Sequence, residues 1–274
     1  MSQPSQTNSP RIRVVSLSPG ITATIVALGA GERVVGRTQW CQLPTEVPIV
    51  GSLLDLNAEM LVRVDPTILL IQPAKQGDVP TLDQLVSRHG WRMEHFRIDS
   101  IEDVNSMLAR LPEFVADPQI VGDAEHLESR SRELRLELAR AMEKVPGADA
   151  AGRVLVLLVT PEGADMLGFG TDTYLSDVLE RIGCVNALAR SGYPALGAED
   201  LARIAPNTVI LIGKRSAELV ERIVQLAPEA MVVPVDSPEL LQPGGGMIPG
   251  IVKFREAISN AVNRRTRVSD GGVR

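Results

Sequence analysis

Apolar and polar positions switch between two periods along the chain. Arg13-Val14-Val15-Ser16-Leu17 is a short β-branched run that ends at Ser18-Pro19-Gly20, after which Ile21, Ile25 and Leu28 recur at helical spacing until Gly29. The pattern predicts a strand, a tight turn and a helix. By the same criteria strands are predicted at 34–35, 49–50, 67–71 and 92–96, and helices over 58–64, 81–88 and 101–114. Strands alternating with helices in this way predict an open, mostly parallel α/β sheet. Residues from about 119 to 144 break the rhythm: Ile120, Ala124, Leu127, Leu134, Leu138, Ala141 and Val145 form an apolar stripe on a rod of Glu and Arg pairs. This periodicity predicts one long amphipathic helix, and its central position predicts a connector between two lobes.

After Pro146-Gly147 the alternation resumes and repeats the first half. Arg13-Val14-Val15-Ser16-Leu17 precedes Arg153-Val154-Leu155-Val156-Leu157 by 140 positions, and Ala58-Glu59 with Asp65-Pro66 precedes Ala198-Glu199 with Ala205-Pro206 by the same offset. A strand follows each proline. Two matches at one offset predict two similar lobes, and a cleft between such lobes is the default place for a ligand. The expected organisation is a tail over 1–11, an N-terminal lobe over 12–117, a linking helix over 118–146, a C-terminal lobe over 147–263 and a second disordered tail over 264–274. The fold class expected is thus α/β, with two Rossmann-like lobes joined by one long helix.

Composition narrows the function. The net charge of −6, with no Lys/Arg run longer than a pair, argues against nucleic acid as a partner. Apolar stretches such as 68–71 and 209–212 fall far below the roughly 18 to 20 residues that cross a bilayer. Cys41 and Cys184 are too few for a disulfide framework, and His89, His95 and His126 are too scattered to complete a zinc site. The first ten residues are polar, without an apolar signal region or a lipobox cysteine, so the sequence as written predicts a cytoplasmic protein.

Enzyme motifs fail on context. Gly29-Ala30-Gly31 ends a helix and opens a strand, the reverse of a dinucleotide fingerprint, and reads as a helix C-cap. No Gly-x-Ser-x-Gly elbow occurs, and Gly213-Lys214-Arg215-Ser216 lacks the earlier glycine of a phosphate loop. No catalytic residue, metal ligand or cofactor is therefore assigned. Gln242-Pro243-Gly244-Gly245-Gly246 precedes a helix and would let backbone approach a ligand at Gly245, or serve as a plain flexible connection. Aromatic residues make up only 3% of the chain, so Trp40, Phe169 and Tyr193, all in expected loops, stand out as rings either tucked under a loop or exposed for binding.

Arg13-Val14-Val15-Ser16-Leu17-Ser18-Pro19, Leu28-Gly29-Ala30-Gly31, Val34-Val35-Gly36, the Pro44 turn, Leu56-Asn57-Ala58-Glu59, Asp65-Pro66, the long helix and Gly170-Thr171-Asp172-Thr173-Tyr174 together resemble the class III periplasmic binding proteins. Those are the receptors for cobalamin, ferric siderophores and haem that deliver to ABC importers. The cobalamin receptors are the most similar of these, because Trp40 matches the loop where they place a ring-stacking aromatic. Two further aromatic positions of theirs are Leu53 and Gln72 here, and their Gly-Pro-Arg before the last helix is replaced around Ile248-Pro249-Gly250. The resemblance implies a monomer that holds a bulky metal chelate such as cobalamin, in the periplasm or at the cell surface, and that meets an ABC permease. Ser18, Pro19, Gly20, Trp40, Gln72, Phe169, Tyr193 and Gly245 are the residues expected at the ligand. In such receptors one glutamate per lobe meets permease arginines, and Glu59 and Glu199 match those positions. A cytosolic metallocofactor-handling enzyme or a ligand sensor on the same architecture stays open as the alternative.

Overall fold

The computed structural model describes residues 11–73, 80–159, 166–213 and 217–271. Of the expected tail over 1–11, residues 1–10 lie outside the described residues. The chain divides into two units. The first comprises Met1–Ile98, Asp103–Leu136 and Gly244–Gly246; the second comprises Asp99–Glu102, Glu137–Pro243 and Met247–Arg274.

In the first unit four short strands, β1 (Val14–Ser16), β2 (Val34–Arg37), β3 (Ile68–Ile71) and β4 (Arg92–His95), form an all-parallel sheet in the order β2-β1-β3-β4. The crossovers carry α1 (Pro19–Ala27), α2 (Ala58–Val64) and α3 (Pro80–His89), and α4 begins with Ile101–Val115 after β4. Val14, Val15, Ile68, Leu69 and Leu70 are buried because a parallel sheet is covered on both faces. Ile49-Val50, expected as a strand, makes only an isolated bridge from Ile49 to Arg37, since Gly51 turns the chain away at φ +93°. β2 and β3 lie on opposite sides of β1, so the strand order reverses between β1 and β3.

In the second unit β5 (Arg153–Val159), β9 (Thr208–Ile212) and β10 (Met231–Val235) are parallel neighbours, and β7 (Val185–Asn186) pairs parallel with the start of β5. The hairpin-like β6 (Met166–Gly168) and β8 (Ala195–Leu196) extend the sheet antiparallel. Helices α6 (Tyr174–Arg181), α7 (Ala198–Ile204), α8 (Ala217–Leu226) and α9 (Ile248–Gly271) complete the unit. Phe254 and Ile258 on α9 are fully buried.

The repeat has a physical basis that is the same in each unit. The Arg13 guanidinium donates to the Val64 and Asp65 carbonyls at the end of α2, and Arg153 donates to the Ile204 carbonyl at the end of α7. Both helices stop at a left-handed residue, Asp65 at φ 40° and Ala205 at φ 44°. The next-but-one side chain, Thr67 or Asn207, then accepts from the backbone N–H of Arg13 or Arg153 at 2.9 Å. Arginine and the short helix recur together because one caps the last carbonyls of the other, which would otherwise be left without partners.

Two expected elements differ at their ends. The central helix, α5, runs Asp123–Ala141, and residues 119–122 form turns instead, because Gly122 takes φ +77° and Asp123 spends its carboxylate on Arg33 and on the Asp117 N–H. Residues 264–271, expected as a disordered tail, continue α9. Arg265 holds them by donating to the Asn207 carbonyl, and the Thr266 hydroxyl bonds the Val262 carbonyl at 3.0 Å. Among the described residues no helix is long and apolar enough to cross a membrane.

Candidate functional site

The parallel sheet of the first unit sets three of the expected positions side by side. Ser18 follows the end of β1, Trp40 the end of β2 and Gln72 the end of β3, and these strands are neighbours in the order β2-β1-β3. Ser18 and Gln72 flank the place where the strand order reverses, which in open α/β sheets is where ligands bind. Trp40 is 57% exposed, although tryptophan is among the costliest side chains to leave in water. Leu54, from the turn after Ile49, is also exposed.

The loop that presents Trp40 is held from beneath. Arg37 is only 8% exposed and donates to the Thr38, Cys41 and Val47 carbonyls at 3.2, 3.3 and 3.1 Å. The Thr38 hydroxyl accepts from the Trp40 N–H at 3.2 Å and lies 3.2 Å from Cys41 Sγ. Cys41 Sγ in turn lies 3.1 Å from the Thr22 hydroxyl, which is 2.8 Å from Ser16 Oγ and 3.0 Å from the Ser18 carbonyl. The network runs without a break from the Trp40 loop to the first turn of α1. Cys41 is therefore a buried free thiol under the site, not a group on its surface.

Phe169 and Tyr193 meet in the second unit, but not at the C-terminal strand ends. The Phe169 N–H donates to the Val156 carbonyl at 3.0 Å, which places it beside the middle of β5. Its ring is 2% exposed and edge-on to Tyr174 at 6.0 Å and to Tyr193 at 5.3 Å. Phe169 therefore supports Tyr193, whose ring is 46% exposed, instead of presenting its own face. β6 runs antiparallel to β5, so the residue after β6 turns back along the sheet. Burial first, then the nearby Asp99 carboxylate, pushes the Tyr193 hydroxyl above its ordinary value, so it is a neutral phenol near pH 7. Tyr174 is pushed up further by burial, and its hydroxyl donates to the Leu240 carbonyl.

The two turns carrying these rings touch at Gly170, whose N–H donates to the Gly192 carbonyl at 2.9 Å; a Cβ there would stand 1.8 Å from the Arg190 carbonyl oxygen. Gly170→Ala is expected to force residues 190–193 away and to cost about 1–3 kcal/mol. Urea unfolding followed by circular dichroism checks the cost, and Tyr193 iodination checks the displacement.

Gly245, expected at the ligand, packs against α1. It is buried, its N–H donates to the Thr24 hydroxyl at 2.8 Å, and an added Cβ would press on Leu108 and Thr24. At Gly244 a Cβ would meet the Gly20 carbonyl at 2.4 Å. The glycines let this segment approach the backbone of α1, so close approach is the right physics with helix α1 as the neighbour. A cavity of about 530 Å³ in the first unit lies at the opposite ends of the strands, lined among others by Arg13, Asp65, His89 and Trp91. Arg13 and Asp65 are committed there to the α2 cap, and His89 stacks on Trp91 at 4.6 Å. Among the described residues no three His, Cys, Asp or Glu side chains gather to hold a metal ion.

Glu59 and Glu199 are both exposed, each in the first turn of its seven-residue helix. Glu59 pairs with Arg63 at 2.8 Å on the surface.

No protein-family model matches the sequence. The chain is similar to the uncharacterized ABC transporter substrate-binding lipoprotein YvrC of Bacillus subtilis, at 22% identity over 259 residues, 90% of this chain and 79% of that protein. It is similar to the vitamin B12-binding protein of Pectobacterium carotovorum, at 23% over 207 residues, 73% and 71% of the two chains. Among solved structures, a periplasmic heme binding protein from Pseudomonas aeruginosa superposes with a TM-score of 0.70 at 25% identity, over 92% of this chain and 94% of that one. The periplasmic vitamin B12 binding protein of Vibrio cholerae does so with a TM-score of 0.68 at 15% identity, over 94% and 98%. The relatives of this chain are thus ABC-transporter substrate-binding and vitamin B12-binding proteins, and its fold is that of the class III periplasmic binding proteins.

Proposed function

We propose that the protein is a substrate-binding receptor of an ABC importer, acting as a monomer that takes up a bulky metal chelate, a corrinoid, haem or ferric siderophore, without transforming it. The observation that carries this reading is Trp40: an exposed indole on a loop clamped by Arg37, beside the switch point of a parallel sheet. A rigidly held, exposed ring offers a flat apolar face at small entropic cost, which suits a macrocycle or an aromatic chelate. Ser18, Pro19, Gly20 and Gln72 surround it in this reading, and Tyr193 is an exposed ring of the second unit. The B12-binding and heme-binding proteins to which the chain is similar support it. The site chemistry is non-covalent: the buried hydroxyl and thiol groups at its base bond one another and the backbone.

Titrating the purified protein with cyanocobalamin, ferric protoporphyrin and ferric siderophores, and following the visible band of each, tests the reading. One of them is expected to bind with a saturable spectral change and to quench Trp40 fluorescence. Silence across the whole panel would sink it. For partner docking, reversing both glutamates (Glu59→Lys with Glu199→Lys) is expected to weaken association with the cognate permease while the chelate Kd stays unchanged. Solvent-exposed charges at a rim act on encounter and register, not on a separate ligand site. Pull-down by permease in detergent, compared with the chelate titration, reads both quantities.

A further inference from the structure

The N-terminus of α1 carries a polar group that the fold leaves unused. α1 is nine residues long and opens with Ser18 as N-cap in extended conformation, at φ −138° and ψ 128°. A serine at this position ordinarily accepts a hydrogen bond from the N–H two or three residues on. Here the Ser18 side chain makes no such bond. Its Oγ is buried, the residue is 2% exposed, and the atom has no hydrogen-bond partner among the described residues. The first intrahelical bond is from the Thr22 N–H to the Ser18 carbonyl at 3.0 Å, so the Gly20 and Ile21 amides precede the hydrogen-bonded helix.

Charge and position point the same way. The positive end of the α1 dipole lies at this turn. The hydrogen-bonded network through Thr22 and Cys41 ties it to Arg37, a buried guanidinium bonded to three carbonyls, with no carboxylate at ion-pair distance among the described residues. Pro19 at the first helical position removes one N–H and pre-sets the turn. Two amides and an unpaired hydroxyl sit beside the strand-order reversal.

We propose that this turn binds an anionic oxygen group, a carboxylate or a phosphate, carried by the chelate, with the Ser18 hydroxyl donating to it alongside the Gly20 and Ile21 amides. The inference rests on the receptor reading only for the molecule that brings the anion. It makes the ligand an acidic one.

The test has two arms, both on the full chain. In the first, inorganic phosphate at pH 8 and acetate are titrated separately at constant ionic strength while the Gly20 and Ile21 amides are followed by ¹⁵N–¹H spectroscopy. Saturable shifts at both amides are expected, and the anion with the lower Kd identifies the group. Ser18→Ala is expected to raise that Kd by about tenfold, as for loss of one hydrogen bond to a charged group. Ser18→Asp is expected to abolish the shifts, because its own carboxylate caps the same amides, while thermal stability is kept or raised. Absence of a saturable shift with either anion, or shifts that persist in Ser18→Asp, would overturn the proposal.

In the second arm ferric protoporphyrin is compared with its dimethyl ester, which keeps the ring and loses both carboxylates. About tenfold weaker binding of the ester, with the difference lost in Ser18→Asp, supports a carboxylate partner. Equal binding of acid and ester in a protein that also ignores phosphate overturns the anion site and leaves the receptor reading standing. Amide shifts without binding of porphyrin, cobalamin or siderophore would uphold the anion site and overturn the receptor reading instead.

Discussion

Replacing Asp123 by alanine is expected to destabilise the first unit by about 3–5 kcal/mol, the cost of stranding a buried charge. Asp123 and Arg33 are both buried, with Oδ1 and Oδ2 accepting from the two terminal nitrogens at 2.7 and 2.8 Å. The carboxylate also accepts from the Asp117 N–H at 2.7 Å, at the turn between α4 and α5. Removing it leaves a guanidinium with the Val115 carbonyl and the exposed Glu32 as its remaining partners. Arg33 with Asp123 therefore ties the start of β2 to the start of α5, 90 positions apart in the chain. Both tryptophans lie in the first unit, so intrinsic fluorescence during urea unfolding reports this loss directly. A shift below about 1 kcal/mol, the ordinary worth of an exposed pair, would show that the pair is not buried in solution.

The same pair predicts an acid dependence. Burial works against the charged form of Asp123, and the hydrogen bonds from Arg33 and the Asp117 N–H, with the Arg33 charge, outweigh it, so its carboxyl titrates below the ordinary value. A group whose folded pKa is depressed contributes stability that is present above the unfolded pKa and lost as pH falls through the folded one. The wild-type stability should therefore decline below about pH 4, the ordinary aspartate value. In Asp123→Asn the part of that decline owed to Asp123 should be missing.

The division between what was legible in the sequence and what was not follows the range of the interactions. The strand, short helix and strand of each unit were readable because their determinants are local or repeat: Arg13 with Asp65-Pro66, and Arg153 with Ala205-Pro206, appear at one spacing and cap one helix each. Ser18, Trp40 and Gln72 follow strand ends, and a parallel sheet sets such ends side by side whatever the intervening chain does. The burial of Phe169 is not legible, because periodicity does not reveal that β6 runs antiparallel to β5. The neighbour of Gly245 is not legible either, because a glycine run announces close approach without naming the partner, and α1 lies more than 200 positions earlier. The polar final turns of α9 carry no stripe to read; their anchor is Arg265 on the Asn207 carbonyl. Arg33 with Asp123, and the idle hydroxyl of Ser18, leave no trace in a single sequence, since one is a long-range pair and the other a bond that is missing.

Trp40→Ala is expected to raise the Kd for the bound chelate by about 30-fold or more, corresponding to the 2 kcal/mol or greater typical of a central aromatic anchor. The expectation follows from how the ring is mounted. Arg37 holds carbonyls on both sides of it, at Thr38 and at Cys41 and Val47, and the Thr38 hydroxyl fixes its N–H, so the loop's order does not depend on the indole. Because the ring is more than half exposed in the free protein, its removal should change stability by less than about 0.5 kcal/mol. The two readouts separate the roles the ring can have. A ring that anchored its own loop would lower stability when removed and leave affinity alone; a ring that receives the chelate does the opposite. Trp40→Phe, which keeps a flat apolar face on the same clamp, should recover most of the affinity. Equal Kd values for the wild type and Trp40→Ala, measured with the chelate that gives the spectral change, would return Trp40 to the scaffold and remove the observation on which the receptor reading stands.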